Sequence, residues 1–194
     1  MKIILASKSG VRKRILEDNE IECEVIPSNV DEDQVKESLL EQGANPELIS
    51  KNLAELKSIK VSLKNPEMLV LGADSVISLN STLINKPLTR EEALKILKTL
   101  NGQKHFLISS VCISKNGSMI WNFTDTSELK MKSLREEELK KYLKKISTDI
   151  LLSYGVYQIE ADGLDLFEYI KGDRSSIMGL PIKEIKDYIK NYKI

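Results

Sequence analysis

Short apolar segments alternate with longer amphipathic segments along the whole chain, and this alternation limits the fold more than any other feature of the sequence. The pattern predicts strands over residues 2–6 and 22–27, and helices over residues 11–19, 34–42 and 46–63. Strands that alternate with helices in this way predict an α/β fold with a mixed sheet.

The second half of the chain carries the residues that commonly begin helices and form hairpin turns. Thr89 can cap a helix that begins at Arg90, with Glu92 at the capping-box position. Lys115-Asn116-Gly117 separates two strand-like runs, which is typical of a hairpin. The other predicted elements are an apolar run over 68–74, a separate strand over 75–79, hairpin strands over 106–113 and 119–131, a helix over 135–145, short strands within 155–171 and a last helix to about Tyr192.

The 194 residues include 29 basic and 29 acidic side chains, so the formal net charge is zero. This balance disfavours a stable nucleic-acid complex, which needs a cationic surplus. The length and the 41% apolar fraction predict one domain over residues 1–194.

Cys23 and Cys112 belong to no metal-binding motif and are predicted to be reduced, buried thiols. No run is long enough for a membrane span or a signal peptide, so we predict a cytoplasmic protein without a membrane partner.

A polar turn, Ser7-Lys8-Ser9-Gly10, follows the first predicted strand and opens a helix that carries Arg12. In this geometry the backbone N–H groups and the positive end of the helix face the turn, where hydroxyl groups and a guanidinium suit phosphate oxygens. The turn is not a P-loop, because the GxxxxGKS/T pattern is absent. The alternative interpretation is an N-capped helix with solvated cations.

Asp74 ends the apolar run that begins at Met68 and is followed by Ser75. The ends of strands are where α/β proteins place reactive groups. A carboxylate at such a position could bind a hard divalent cation or take a proton from water. The alternative interpretation is an ordinary turn aspartate.

Other charged residues could join these two segments. Asp31-Glu32-Asp33 forms an acidic loop, Lys57 lies on a helix that otherwise faces the core, and Lys86 precedes a proline. Each alone is typical of a solvated charge. Together with a turn suited to phosphate they indicate metal-assisted phosphoryl chemistry, in which cations stabilise charge and a base orients water.

Two further features are interpreted as structural. His105 is the chain's only histidine, and no GxSxG sequence supports a Ser–His–Asp mechanism, so His105 is interpreted as structural or peripheral to a substrate. The Lys-rich run over 140–145 alternates with apolar residues on a predicted helix. It is interpreted as a solvated face rather than a membrane or nucleic-acid contact.

Taken together, these segments resemble the Maf family of nucleoside triphosphate pyrophosphatases over essentially the whole chain. The matching segments, in chain order, are Leu5–Arg12 (family LASxSPRR), Val30–Glu32 (VDE), Leu53–Lys57 (LAxxKA), Gly72–Val76 (GADT-V), Asn85–Pro87 (GKP), Leu100–His105 (LSGxxH), Gly155–Gly163 (GxYQxEGxG) and Gly179–Pro181 (GLP). Any one match is weak, but eight in register are highly specific.

The resemblance implies a two-lobed α/β protein with a mixed twisted sheet, flanking helices and a deep cleft, similar in fold to inosine-triphosphatase-like enzymes. It implies cleavage of a nucleoside triphosphate to the monophosphate and pyrophosphate with Mg²⁺ or Mn²⁺. By position, Asp74 would accept the proton of the attacking water, and Glu32 and Asp74 would hold the metal. The residues expected around the substrate are Ser7, Ser9, Arg12, Lys57, Ser75, Lys86 and Glu160. The resemblance also allows a homodimer.

The sequence departs from the family pattern at positions that affect substrate choice. Val11 replaces the first arginine of SPRR, and Ser75 replaces a threonine. Glu160 looks more like the 7-methyl-GTP-directed subgroup than the dTTP/UTP subgroup, which has glutamine there, but the tryptophan of the former is absent at Val11. Leu152–Gly155 replaces the family's DKAG and removes a lysine. The preferred base therefore follows from neither subgroup.

The leading hypothesis is a nucleoside triphosphate pyrophosphatase acting on a standard or modified nucleotide. The alternative hypothesis is a nucleotide-binding regulator of cell division or growth that has lost most catalysis, motivated by the losses at Val11, Ser153 and Ala161. A nucleic-acid-binding protein is a third, weaker hypothesis because of the charge balance. Pyrophosphate release from a panel of triphosphates separates these hypotheses.

Overall fold

The computed structural model describes residues 2–159 and 162–192. Its strands are β1 (Ile3–Leu5), β2 (Cys23–Val25), β3 (Val70–Leu79), β4 (Thr82–Ile84), β5 (Lys104–Lys115), β6 (Ser118–Met131) and β7 (Phe167–Lys171). Its α-helices are α1 (Gly10–Asp18), α2 (Glu32–Glu41), α3 (Pro46–Ser62), α4 (Arg90–Leu100), α5 (Glu136–Lys145), α6 (Thr148–Tyr154), α7 (Arg174–Ile177) and α8 (Ile182–Asn191). A 3₁₀ helix covers Asp162–Leu166.

Within the described residues, the strands form one mixed sheet in the order β2-β1-β3-β5-β6-β7, with β4 paired to β3. β1 runs parallel to β2 and β3, whereas the other pairings are antiparallel. This arrangement confirms the predicted α/β class with a mixed sheet and flanking helices. The prediction of one domain with two lobes over residues 1–194 stays a prediction.

The prediction that a strand ends at Asp74 is wrong, because β3 continues without a break from Val70 to Leu79. Antiparallel pairing with β5 runs along nearly the whole strand and supports the polar residues at its centre. The opposite edge differs, since β1 pairs only with Val70 and Leu71 and β4 begins its pairing at Ile77. Residues 72–76 therefore have no strand beside them on that edge in the described part of the chain. We call this interval the edge gap.

Two clusters of buried apolar side chains form most of the core, at opposite ends of the long strands. The first packs α4 and α5 against the sheet and includes Leu97, Leu100, Leu129, Leu139 and Phe167. The second packs α1 and α8 against β1 and includes Leu5, Leu16, Leu180 and Ile185. β3 enters both clusters, through Leu79 and Leu71 respectively. β5 likewise contributes Leu107 to the first cluster and Ile113 to the second.

Helix α3 lies unusually close to β3, and Gly72 permits this approach. A Cβ atom at Gly72 would stand 2.1 Å from the carbonyl oxygen of Ala54 and 2.7 Å from the backbone nitrogen of Ser58. Any larger side chain would therefore force the helix away from the sheet. The short separation brings the side chain of Lys57, on α3, within reach of the middle of β3.

Several local predictions are confirmed. Asn116 and Gly117 both have positive φ angles, 52° and 74°, as a two-residue hairpin turn requires. The hydroxyl of Thr89 accepts from the backbone N–H of Glu92 and caps α4. The lysines at 140, 141 and 144 are exposed while Leu143 is buried, which confirms the solvated face of α5. None of the described helices combines the length and apolarity needed to cross a membrane.

The prediction of several short strands within 155–171 is wrong, since β7 is the strand found among the described residues there. The backbone N–H of Gly163 donates to the carbonyl of Gln158, which folds the segment into a turn and a 3₁₀ helix instead. The sequence does not predict helix α6, because seven residues are too few to show a clear helical period. The hydroxyl of Ser147 caps this helix by accepting from the backbone N–H of Ile150. Cys112 is buried as predicted, but Cys23 is half-buried.

His105 is fully buried, and its Nε2 lies 3.0 Å from the hydroxyl oxygen of Tyr157. This placement confirms the structural interpretation. Burial lowers the pKa of His105 from 6.5 to about 4, because desolvation penalises the charged ring.

The buried imidazole predicts a loss of stability on mild acidification. As the pH falls from 7 to 5, the unfolded chain takes up a proton at His105 that the folded chain does not, so unfolding becomes easier by about 2 kcal/mol. Urea unfolding at several pH values should show this slope. The slope should flatten in His105→Gln, and an unchanged slope would contradict the assignment, since the chain has no other histidine.

Candidate active site

A cleft of about 370 Å³ opens at the edge gap of β3. Its walls come from the β1–α1 turn, the segment between β2 and α2 with the start of α2, β4 and the segment after it, and the end of α6 with the residues that follow it. Lys57 of α3 and Gly179 also line the cleft. Because neighbouring residues of a strand point to opposite faces, Asp74 and Ser75 enter the cleft from the two sides of the sheet. The missing strand thus makes both faces of β3 accessible at one place.

Lys57 joins two carboxylates inside the cleft. Its Nζ atom lies 2.8 Å from Asp74 Oδ1 and 2.8 Å from Glu32 Oε1. The side chains of Lys57 and Asp74 are each only 7% exposed, whereas that of Glu32 is 37% exposed. Burial alone would raise the pKa of Glu32, but the charge of Lys57 and its hydrogen bond, with Lys86 and Lys36 nearby, lower that pKa.

Among the described residues that line the cleft, Asp74 and Gln158 each have a buried side-chain atom without a hydrogen-bond partner. Asp74 Oδ2 is buried and has no hydrogen-bond partner among the described residues. The strand holds Asp74 firmly, since the backbone is paired with β5 and the Ser50 hydroxyl donates to its carbonyl oxygen over 3.2 Å. A buried carboxylate oxygen without a partner is costly unless a ligand satisfies it.

The carboxylates of Glu32 and Asp74 suit a divalent cation that arrives with a phosphorylated ligand. Mg²⁺ is commonly held by one or two carboxylates, with phosphate oxygens and water completing its shell. The described residues contain no group of three or more His, Cys, Asp or Glu that could hold a metal ion. The carboxylates of Asp74 and Glu32 therefore fit a cation that is shared with the ligand rather than a site built by the protein alone.

Arg12 is the most heavily bonded cation in the cleft. Its Nη1 donates to Ser7 Oγ and to the carbonyl of Ala73, at 3.1 and 2.9 Å. Its Nε donates to the carbonyl of Gly179 over 2.9 Å, and its Nη2 donates to Ser75 Oγ over 3.1 Å. Ala73 lies in the edge gap, so the guanidinium occupies part of the space of the missing strand. Burial lowers the pKa of Arg12, while Asp74 and Glu32 oppose that shift.

The geometry of the turn before α1 is compatible with both interpretations of its sequence, a phosphate-binding turn and an N-capped helix. Ser9 caps the helix, accepting from the backbone N–H of Arg12 over 3.4 Å, and Ser7 accepts from the N–H of Ser9 over 3.3 Å. The positive end of the helix faces the cleft. The N–H of Gly10 donates to the hydroxyl of Tyr154, at 3.4 Å.

The end of α6 crosses one side of the cleft. Lys86 Nζ donates to the carbonyl oxygen of Ser153 over 2.9 Å, and Tyr154 contacts Gly10 on the opposite wall. Lys86 is exposed to the cleft solvent, yet desolvation by the cleft walls lowers its pKa. The family lysine is lost from this segment, and Tyr154, which no sequence motif indicates, lines the cleft.

The structure brings most of the predicted site residues to one place. The residues that line the cleft are Ser7, Ser9, Arg12, Glu32, Lys57, Asp74, Ser75 and Lys86. Glu160 lies outside the described residues. His105 lies in the core and does not line the cleft. Besides Tyr154, sequence reasoning missed Ser50, Ser109 and Ser176, whose hydroxyl or carbonyl groups support the site from behind.

The family model described as "Maf-like protein" matches residues 2–192. The chain is 62% identical over 191 residues to a nucleoside triphosphate pyrophosphatase of Pelagibacter ubique, covering 98% of each chain. It is 37% identical over 182 residues to a 7-methyl-GTP pyrophosphatase of Brucella suis, covering 94% of this chain and 92% of the relative. A solved nucleoside-triphosphatase from Mycobacterium abscessus, a dITP/XTP pyrophosphatase, aligns with a TM-score of 0.43 and 12% identity over 98% of this chain and 92% of that chain.

Proposed function

This chain belongs to the family of Maf-like proteins, and from that membership we propose that it hydrolyses a nucleoside triphosphate to the nucleoside monophosphate and pyrophosphate. Relatives that match nearly its whole length carry the name nucleoside triphosphate pyrophosphatase. The observation that supports the proposal most strongly is the unpartnered Oδ2 of Asp74, which lies beside Lys57 in a cleft lined by cations.

Binding of the triphosphate relies on the positive charges around the cleft. Arg12, Lys57 and Lys86 line it together with the N-terminal end of α1. A triphosphate carries several negative charges, and charge-assisted hydrogen bonds from cations and backbone N–H groups hold such a ligand well. In this proposal the hydroxyl groups of Ser7 and Ser9 add donors to the phosphate oxygens.

Glu32 and Asp74 would hold the divalent cation, Mg²⁺ or Mn²⁺, which when bound neutralises charge on the phosphate oxygens. Lys57 holds Asp74 Oδ1, and Oδ2 has no hydrogen-bond partner among the described residues. Asp74 Oδ2 accepts a proton from a water molecule as the water oxygen attacks the α-phosphorus. The bond between the α-phosphorus and the bridging oxygen to the β-phosphate breaks, and pyrophosphate leaves.

The base of the substrate is a separate question. The relative at 62% identity carries the name nucleoside triphosphate pyrophosphatase, which specifies no base, and relatives at 35–37% carry either that name or 7-methyl-GTP pyrophosphatase. Val11 and Ser75 differ from the family pattern at positions next to the cleft, and the role of Glu160 in base choice stays a prediction.

A panel of nucleoside triphosphates tests the proposal directly. We expect the purified protein, with Mg²⁺ or Mn²⁺, to release pyrophosphate and nucleoside monophosphate in equal amounts from at least one standard or modified triphosphate. Isothermal titration on the same panel measures binding independently of turnover. Tight nucleotide binding with no turnover would contradict the proposal and favour the nucleotide-binding regulator, and release of orthophosphate would contradict the cleavage site.

A further inference from the structure

Ser109 lies on β5 behind the cleft and does not line it, yet its hydroxyl belongs to the same hydrogen-bond network as Arg12. We propose that Ser109 is a positioning residue that holds the guanidinium of Arg12 in place through a closed ring of hydrogen bonds. Its effect on hydrolysis rests on the proposed function, whereas its effect on Arg12 does not.

The donor and acceptor in each hydrogen bond of this ring can be assigned by starting from the carbonyl oxygen of Ser176. The carbonyl oxygen of Ser176 can only accept, so Ser109 Oγ donates to it over 2.7 Å. With its proton used, Ser109 Oγ offers a lone pair to Ser75, and the Ser75 hydroxyl must donate across their 2.9 Å contact. Ser75 Oγ is then left as an acceptor for Arg12 Nη2.

The ring closes through the backbone of the segment after α7. The N–H of Gly179 donates to the same carbonyl of Ser176 over 2.9 Å, and the carbonyl of Gly179 accepts from Arg12 Nε over 2.9 Å. Arg12 is therefore held from two sides, and both sides meet at Ser176. Ser109 fixes both, because it orients Ser75 directly and anchors the segment that carries Gly179.

Gly179 shows how little space the ring leaves. Its φ angle of 96° is one that L side chains rarely adopt. A Cβ there would stand 3.2 Å from Ser75 Oγ and 3.3 Å from Arg12 Nε. The guanidinium is thus enclosed by backbone and hydroxyl groups rather than by a flexible surface.

The ring changes the expected roles of two residues. Four N–H groups of Arg12 donate to the protein, which leaves a single N–H, on Nη2, without a partner among the described residues. Ser75 uses its proton on Ser109 and so supports Arg12 rather than donating to a ligand. Arg12 then offers a phosphate one N–H group and a positive charge. The ring determines the direction of that N–H and the position of the charge.

Ser109→Ala and a matched control, Ser114→Ala, test this proposal. Both residues are buried hydroxyls on β5, but Ser114 lies away from the cleft and contacts Ser58. NMR of the ¹⁵N-labelled protein should show a slowly exchanging Nε–H signal of Arg12, identified by its loss in Arg12→Lys. We expect this proton to exchange with water at least fivefold faster in Ser109→Ala and at an unchanged rate in Ser114→Ala.

Kinetics on the preferred triphosphate supply a second readout. Ser109→Ala should lower kcat/KM about tenfold in the otherwise unchanged protein and less than twofold in an Arg12→Lys background, because its effect passes through Arg12. Ser109→Cys, whose thiol is somewhat larger than a hydroxyl and donates only weakly, replaces Ser109→Ala in both measurements if Ser109→Ala does not fold.

The outcomes separate this proposal from the proposed function. Two results would contradict the proposed role of Ser109. One is an unchanged exchange rate of the Arg12 Nε proton in Ser109→Ala, and the other is an equal loss of kcat/KM with and without Arg12→Lys. If the unaltered protein cleaves no triphosphate, the proposed function fails, and the exchange measurement alone decides the role of Ser109.

Discussion

Asp74→Asn is expected to lower pyrophosphate release at least a thousandfold while nucleotide binding stays within tenfold of the unaltered protein. The amide keeps the shape of the carboxylate and can still accept a hydrogen bond from Lys57. It cannot take a proton from water at neutral pH, so the attacking group is no longer activated. Turnover is measured as pyrophosphate released per unit time, and binding by calorimetry with the same triphosphate.

Asp187→Asn supplies the control for this change, since it makes the same substitution at an exposed position of α8. It should leave both turnover and binding unaltered. If Asp74→Asn keeps more than a tenth of the activity, another group must accept the proton. If it loses binding as well as turnover, the main contribution of Asp74 is to hold the ligand and its cation.

Lys57→Met is expected to damage both stability and activity. Methionine fills a similar volume but removes the ammonium group of Lys57, which forms an ion pair with both Asp74 and Glu32. Removing one partner of a buried ion pair costs about 3 kcal/mol or more, because the remaining charge stays buried and unpaired. The lost positive charge should also reduce kcat/KM at least a hundredfold, since Lys57 both fixes Asp74 and faces the ligand.

The stability loss in Lys57→Met should depend on pH in a defined direction. Lys57 lowers the pKa of Glu32, so this contribution is complete above the unfolded pKa of the carboxyl group and disappears as the pH falls through the lowered folded value. The difference in unfolding free energy between the two proteins should therefore be largest near pH 7 and smaller at pH 4, as urea titrations can measure.

Lys51→Met provides the comparison on the same helix, because Lys51 is an exposed residue of α3. It should change stability by less than about 0.5 kcal/mol at either pH, as surface substitutions usually do. An equal loss at pH 7 and pH 4 in Lys57→Met would indicate that lost packing, rather than an uncompensated charge, causes the destabilisation.

The sequence pattern was sufficient for elements that local chemistry determines. The cap at Thr89 and the hairpin turn at Asn116-Gly117 depend on residues only a few positions apart, and both are present as predicted. The family resemblance identified the residues that line the cleft, because their spacing is carried in short motifs. The position of Lys57 on the core-facing side of α3 gives no sign of its partners, yet Lys57 lies between two predicted carboxylates.

The supporting groups could not be predicted in this way. The ring around Arg12 joins residues separated by 167 positions along the chain, and the serines in it look like ordinary strand residues. The edge gap could not be predicted from the sequence of β3 either, because the gap arises where the neighbouring strands β1 and β4 stop short of each other. Asp74 therefore lies in the edge gap, but the predicted end of a strand at Asp74 is wrong, because β3 continues to Leu79 and stays paired with β5 there.

The passage of β3 and β5 through both core clusters has a mechanical consequence. Paired strands resist bending within the plane of a sheet and yield more readily by changing their twist. The two core clusters are thus joined by a pair of long, hydrogen-bonded strands rather than by a flexible linker. A movement of one cluster relative to the other would therefore have to change the twist of these two strands.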